Sequence, residues 1–373
     1  MKKAGKGRKK KIMLIVIAVV LCAALVLGGL MIYGKIQMGK VPGLTFDDAL
    51  NYTTQGKTNA RITVGIIRDG QASFTVYGEN GQVLPPEKHT YEIGSLTKTM
   101  TAALVSRAIG EGRISLNTSI DAYLSLPAGK NYPTVAELLT HTSGYHGFYL
   151  ETPMIGNFFS GKNSFFGVSR EMVLAKCKSL DMNKASYSFT YSNYGYAVLG
   201  LVLEAVYEKD YTALLNDFVW NDLGMTATKI SEKDGDLGNY WDWQENDAYL
   251  SAGAVTSNIE DMLRYAQLQL EDNPVFTRCH QSLKTINAAS ESHKMMGIHL
   301  DEIGMGWIID QENGFIWHNG GTGHYNSYLG FNPDNRTAVV ILSNLGPNDR
   351  IPATVLGPKK LLELKECVDC VTY

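Results

Sequence analysis

Tyr91-Glu92-Ile93-Gly94-Ser95-Leu96-Thr97-Lys98 opens a run in which Leu96, Met100, Ala103 and Leu104 recur at helical spacing until Gly110 and Gly112 stop it. On either side of this helix the pattern turns to strand at both ends of the chain. Arg61–Arg68 and Gln71–Gly78 are β-rich runs joined by Asp69-Gly70, a hairpin signal. Ser327–Asn332 and Thr337–Ser343 are strand-like again, and Pro333-Asp334-Asn335-Arg336 between them is turn chemistry. Tyr194–Glu208 and Ile259–Leu270 read as helices. These patterns predict a mixed α/β (α+β) fold. One antiparallel sheet is built from both chain ends and flanked by helices, with a mainly helical lobe inserted.

The 373 residues suit one large domain or two lobes, and 45% apolar with 19% charged residues excludes a disordered or coiled-coil chain. The net charge of −3 hides an asymmetry. Residues 1–40 hold nine Lys/Arg and no Asp/Glu, leaving 25 basic against 37 acidic residues in the remainder. An acidic body argues against nucleic acid as a partner. Residues 1–11 form a basic tail, and the 22 uncharged residues 12–33 can span a hydrocarbon core of ~30 Å. That run is longer than the apolar region of a cleaved signal peptide, and no clear cleavage site follows it. A retained signal-anchor is expected, with residues 1–11 cytoplasmic and the rest outside the cell membrane on a single pass. Residues 34–45 then read as a linker, 46–366 as the main domain and 367–373 as a tail. Cys367 and Cys370 near the end read as a local disulfide or as nothing.

Ser95 and Lys98 are three apart, so both project from one face of the helix start. A serine hydroxyl needs a base to become a nucleophile, and a lysine serves only if burial or a neighbouring cation lowers its pKa. The helix N-terminus also points N–H groups at a developing oxyanion. Alone, the pair reads more readily as a helix cap beside an exposed lysine. Tyr191-Ser192-Asn193, a Y-x-N tripeptide, precedes the helix Tyr194–Glu208; a phenol can relay a proton and an amide can hold a carbonyl. Trp317-His318-Asn319-Gly320-Gly321-Thr322-Gly323 supplies backbone that a substrate can approach closely.

Order and spacing together resemble the serine β-lactamase and penicillin-binding-protein-like hydrolases, of the class C type that includes DD-carboxypeptidases, D-aminopeptidases and esterases. The resemblance runs from about Arg61 to about Asn344. Glu137-Leu138-Leu139-Thr140-His141-Thr142-Ser143-Gly144, Leu223-Gly224-Met225-Thr226 and Ser251-Ala252-Gly253-Ala254-Val255 carry it further. It implies a β-lactamase/transpeptidase-like fold, with Ser95 as the acylated nucleophile, Lys98 as its base and Tyr191 in the proton relay. Asn193, His318, Gly320 and Gly321 would bind substrate, and the Gly321 N–H would join that of Ser95 as oxyanion donor. Histidine stands at 318 where the β-lactamases proper have lysine, and a role that depends on its protonation near neutral pH is expected.

No cofactor or metal is implied. His141 and His146 lack an accompanying carboxylate cluster. Trp241, Trp243, Tyr145, His146, Phe148 and Tyr149 read equally as cleft lining or as lobe packing. The expected function is hydrolysis of an amide or ester in a small molecule or peptide, cell-wall peptide included. A β-lactamase and a catalytically idle penicillin-binding sensor are the alternatives.

Overall fold

The computed structural model describes residues 39–182 and 186–369. The basic tail, the apolar run 12–33, Cys370 and the side chain of Cys367 lie outside the described residues. Residues 39–45 contain a single 3-10 turn, Val41–Gly43, and the body of the molecule begins at Phe46. Among the described residues no helix is long and apolar enough to cross a membrane.

Strands β1 (Ile62–Arg68) and β2 (Gln71–Tyr77) form the expected hairpin, with Ile62 opposite Tyr77 and Arg68 opposite Gln71. Asp69 and Gly70 both take positive φ, 52° and 71°, the twist that a two-residue hairpin turn requires. Strand β3 (Val83–Leu84) extends this edge. Strands β4 (Tyr91–Glu92), β5 (Lys229–Ile230) and β6 (Val255–Ser257) make a separate small sheet, with β6 in the centre. The chain then returns through β7 (Lys284–Thr285), β8 (Glu302–Ile303), β9 (Ile308–Asp310), β10 (Phe315–Gly321), β11 (Asn326–Asn332) and β12 (Thr337–Ser343). The large sheet runs β3-β2-β1-β12-β11-β10-β9-β8-β7, and each pairing in it is antiparallel. The first and last long strands are direct neighbours, Ile62 lying opposite Ser343. The sheet is therefore built from both chain ends.

Five helices position the site or close the sheet: α1 (Phe46–Thr54), α2 (Thr97–Gly110), α3 (Asn193–Tyr207), α4 (Ile259–Gln269) and α5 (Ala353–Asp369). Helix α2 is buried at every position from Thr97 to Ser106, so it runs through the core and has no solvent face there. Helix α4 lies on β1, where a Cβ added at Gly65 would come 2.8 Å from Ile259. Helix α5 packs on β11 and β12, with Gly357 against the ring of Tyr328. Both strands are buried along their whole length, as a sheet covered on two faces requires. Helix α5 continues through position 366, where the sequence suggested a boundary.

Candidate active site

Ser95 sits in a 3-10 turn, Gly94–Leu96, that leads directly into α2. The Ile93 N–H bonds the Val255 carbonyl at 3.0 Å and ties this turn to β6. One helical turn further on, Lys98 is wholly buried. Its Nζ lies 3.0 Å from Ser95 Oγ, 2.7 Å from Asn193 Oδ1 and 2.6 Å from the Ala252 carbonyl. All three partners are neutral, and burial holds the lysine well below its usual pKa range. The valences decide what such an amine does. A neutral amine has two N–H groups for the two obligate acceptors, Asn193 Oδ1 and Ala252 O. Its lone pair then faces the one partner that can donate, the Ser95 hydroxyl.

Tyr191 precedes α3, and its hydroxyl hydrogen-bonds Ser95. Burial of that hydroxyl raises its pKa, so it is a neutral phenol at physiological pH, although the residue as a whole is 37% exposed. Lys98 Nζ stands 4.8 Å from the centre of the Tyr191 ring. The helix cap here is Ser192: its Oγ accepts the Gly195 N–H at 2.9 Å and donates to the His146 carbonyl at 2.7 Å. Asn193 is thereby left free of capping and turned to Lys98.

The Thr140-His141-Thr142 stretch explains why Tyr191 is held so closely. His141 takes a left-handed φ of 56°, uncommon for a residue with a side chain. Its carbonyl accepts the Thr190 N–H at 2.9 Å and its Nδ1 accepts the Ser192 N–H at 3.0 Å, bracketing Tyr191 on both sides. The two rings lie 4.5 Å apart, tilted by 34°. Burial, with Lys98 and His318 nearby, keeps His141 neutral. His141 is buried and His146 exposed. Elsewhere, His299, Asp301 and Asp310 bring donor atoms within 4.8 Å of one another. There the carboxylates already accept the Gln311 and Asn313 N–H groups, and His299 faces Glu312 at 3.2 Å.

The third motif forms the end of β10. Gly94 has φ +51°, and a Cβ there would meet Gly321 N at 2.6 Å, so the backbone of Gly321 lies directly beside the turn that carries Ser95. At Gly320 a Cβ would strike the Ile93 carbonyl at 1.9 Å. The chain itself fills that space, so Gly320 serves packing and leaves no room for substrate. His318 corrects the expectation of protonation near neutral pH. Burial, with the neighbouring Lys98 amine second, pulls its pKa down to about 3, against the pull of its Nδ1 hydrogen bond to the Asn319 carbonyl at 2.6 Å. His318 is a neutral group with its Nδ1 proton committed.

Ser95, Asn193 and Gly321 line a cavity of about 130 Å³, closed by Phe165, Trp241 and Trp243. A roomier cavity of about 670 Å³, beside Trp220 and Lys229, shares Trp243 as a wall but is not lined by Ser95, Asn193 or Gly321. The aromatics thus divide: Trp241 and Trp243 line the cavity, Tyr145 and Tyr149 pack on Tyr194, and Phe148 stays exposed. Sequence reasoning missed Glu92. Its buried carboxylate accepts the Trp241 N–H at 2.6 Å and the Thr322 hydroxyl, fastening the tryptophan loop to the third motif. Burial raises its pKa to about 6. The one available signal was a charge inside a strand immediately before Ser95.

A Beta-lactamase family model matches residues 51–356, and the chain belongs to that family, the serine β-lactamases and penicillin-binding-protein-like hydrolases. Protein flp of Staphylococcus aureus (strain N315) is 25% identical over 297 residues, covering 71% of this chain and 54% of that protein. The chain thus spans about half the length of this relative. The D-alanyl-D-alanine-carboxypeptidase/endopeptidase AmpH of Escherichia coli (strain K12) is 24% identical over 318 residues, covering 76% of this chain and 79% of the other. Among solved structures, the octameric penicillin-binding protein homologue from Pyrococcus abyssi shares the fold. Its TM-score is 0.67 at 21% identity, over 83% of this chain and 74% of that one. The fold is β-lactamase/transpeptidase-like, as the motifs implied.

Proposed function

We propose that this protein is a membrane-anchored, extracytoplasmic serine hydrolase that cleaves an amide or ester through an acyl-enzyme on Ser95, of DD-carboxypeptidase, D-aminopeptidase or esterase type. The observation that carries the reading is the Lys98 amine, buried among neutral partners with its Nζ 3.0 Å from Ser95 Oγ. In the first step the Ser95 proton passes to Lys98 Nζ while Oγ bonds to the substrate carbonyl carbon. The N–H groups of Ser95 and Gly321 receive the oxyanion. Collapse breaks the bond to the leaving group, which takes its proton back through Lys98 and the neutral Tyr191 hydroxyl. Water then attacks the acyl carbon, giving its proton to the same base and restoring Ser95. Membrane anchoring rests on the basic tail and the uncharged run 12–33.

A fluorophosphonate or fluorescent-penicillin probe tests the reading. Covalent labelling of the full-length protein that disappears in Ser95→Ala is the expected result. No labelling and no turnover of any ester or D-amino-acid amide would leave the idle binding protein in its place.

A further inference from the structure

Beside the Ser95 cavity runs a groove of about 370 Å³ lined by Phe148, Leu150, Met154, Ile155, Phe158 and Phe159. The helix Thr152–Phe159 supplies four of these, at positions that recur on one face at i and i+4. Leu150, Phe158 and Phe159 are 69%, 75% and 83% exposed. Single exposed apolar residues are ordinary, but a contiguous set around a groove marks a binding surface. The groove and the Ser95 cavity share three walls, Phe165, Asn193 and Trp241, so the apolar surface leads to the serine. No residue lining either space carries a charge. Of the nearby cations, Lys98 is buried behind Ser95 with its valences taken, and His318 is neutral. Nothing lining the two spaces balances a substrate carboxylate, whereas a hydrocarbon chain is matched along the length of the groove.

We propose that the substrate is a neutral ester bearing an apolar chain that lies in this groove while its carbonyl sits at Ser95. The inference rests on the acyl-enzyme reading and narrows it to lipophilic esters. A chain attached on the acyl side or on the alcohol side presents the same chemistry, and two substrate series separate these sources. One is p-nitrophenyl acetate, butyrate and hexanoate; the other is methyl, butyl and hexyl acetate.

With full-length protein in lipid nanodiscs, kcat/KM should rise by about threefold to fourfold per buried methylene in one of the two series. The Phe158→Ser/Phe159→Ser double variant removes two exposed side chains and should flatten that rise. Wild type needs no variant to fold for the first measurement, and the thermal midpoint reports on the second. A flat dependence in both series overturns the proposal, as does a rise that the double variant leaves unchanged. A double variant that alters only vesicle binding overturns it too, since the groove would then rest on lipid. If the probe labels Ser95 but chain length has no effect, this inference alone falls. If Ser95 is never acylated, the hydrolase reading falls and takes it along.

Discussion

Arg170 and Lys98 both carry a basic group into the protein, and their surroundings differ in kind. Arg170 Nε lies 2.8 Å from Glu204 Oε1, its guanidinium reaches within 3.9 Å of Asp210, and Asn246 Oδ1 accepts from it at 3.0 Å. Lys98 is more deeply buried, and its hydrogen-bond partners are a hydroxyl, an amide and a backbone carbonyl. A countercharge keeps a buried cation charged; withholding one makes the proton easy to lose. Arginine, whose proton is never released, takes the structural post, and lysine, whose pKa yields to burial, takes the post that we propose to be reactive. Glu92 is the anionic counterpart of Lys98, a buried carboxylate whose hydrogen-bond donors, the Trp241 N–H and the Thr322 hydroxyl, are both neutral, with its pKa raised by burial.

The comparison breaks most visibly at Lys98 itself. Lys98→Met should lower kcat/KM by about a thousandfold or more while the protein stays folded, and adding Ser95→Ala should cost little further because the pair acts as one unit. Losses that multiply would separate the two residues. Asn193→Asp sharpens the point by supplying the missing countercharge 2.7 Å from Nζ. The lysine should then hold its proton, lowering kcat/KM at neutral pH by about tenfold to a hundredfold. Activity should return as pH rises, with the acidic limb of the profile displaced upward by about 1–3 units. An unmoved limb would mean that another group sets it.

At Arg170 the same logic predicts a stability effect. Glu204→Gln removes the main countercharge and should cost about 1–3 kcal/mol in urea unfolding, below the full buried-pair penalty because both side chains keep some solvent contact, with turnover nearly unchanged. A comparable effect, visible only as a dependence on pH, belongs to Glu92. Its folded pKa of about 6 stands above the ordinary 4.5, so its stabilising contribution is complete below pH 4.5 and is lost as pH rises through 6. Glu92→Gln, which can still accept from Trp241, should abolish this loss of about 2 kcal/mol between the two pH values. Parallel slopes for variant and wild type would place the titration elsewhere.

Much of this was legible in the sequence, for reasons that differ from element to element. Helices α2, α3 and α4 lie within a residue or so of their apolar patterns, because each is long and carries apolar residues at helical spacing into the core. The Asp69-Gly70 hairpin was legible because its turn needs two positive φ angles that few residue pairs supply. The two- and three-residue strands β4, β5 and β6 were not, since so short a run has no period and tertiary pairing makes it. At the site, Ser95 and Lys98 are neighbours in one helical turn and announce themselves. The Ala252 carbonyl that completes the lysine's surroundings is main chain and has no residue signature. The protonation state of His318 depends on burial, which the tripeptide His318-Asn319-Gly320 does not encode.

The contact of Gly94 with Gly321 carries a consequence for the order in which the protein is made. Ser95 and Lys98 emerge early in synthesis, but the backbone that would receive the oxyanion belongs to β10. That strand enters a sheet whose closure waits for β12 to pair with β1. Pairings so distant in the chain form late and slowly. On the proposed acyl-enzyme reading, Ser95 should therefore stay inert while the chain is being made, and become competent only when the C-terminal strands arrive. A chain released before Phe315 would contain the whole Ser95–Lys98 helix and still take up no acyl probe.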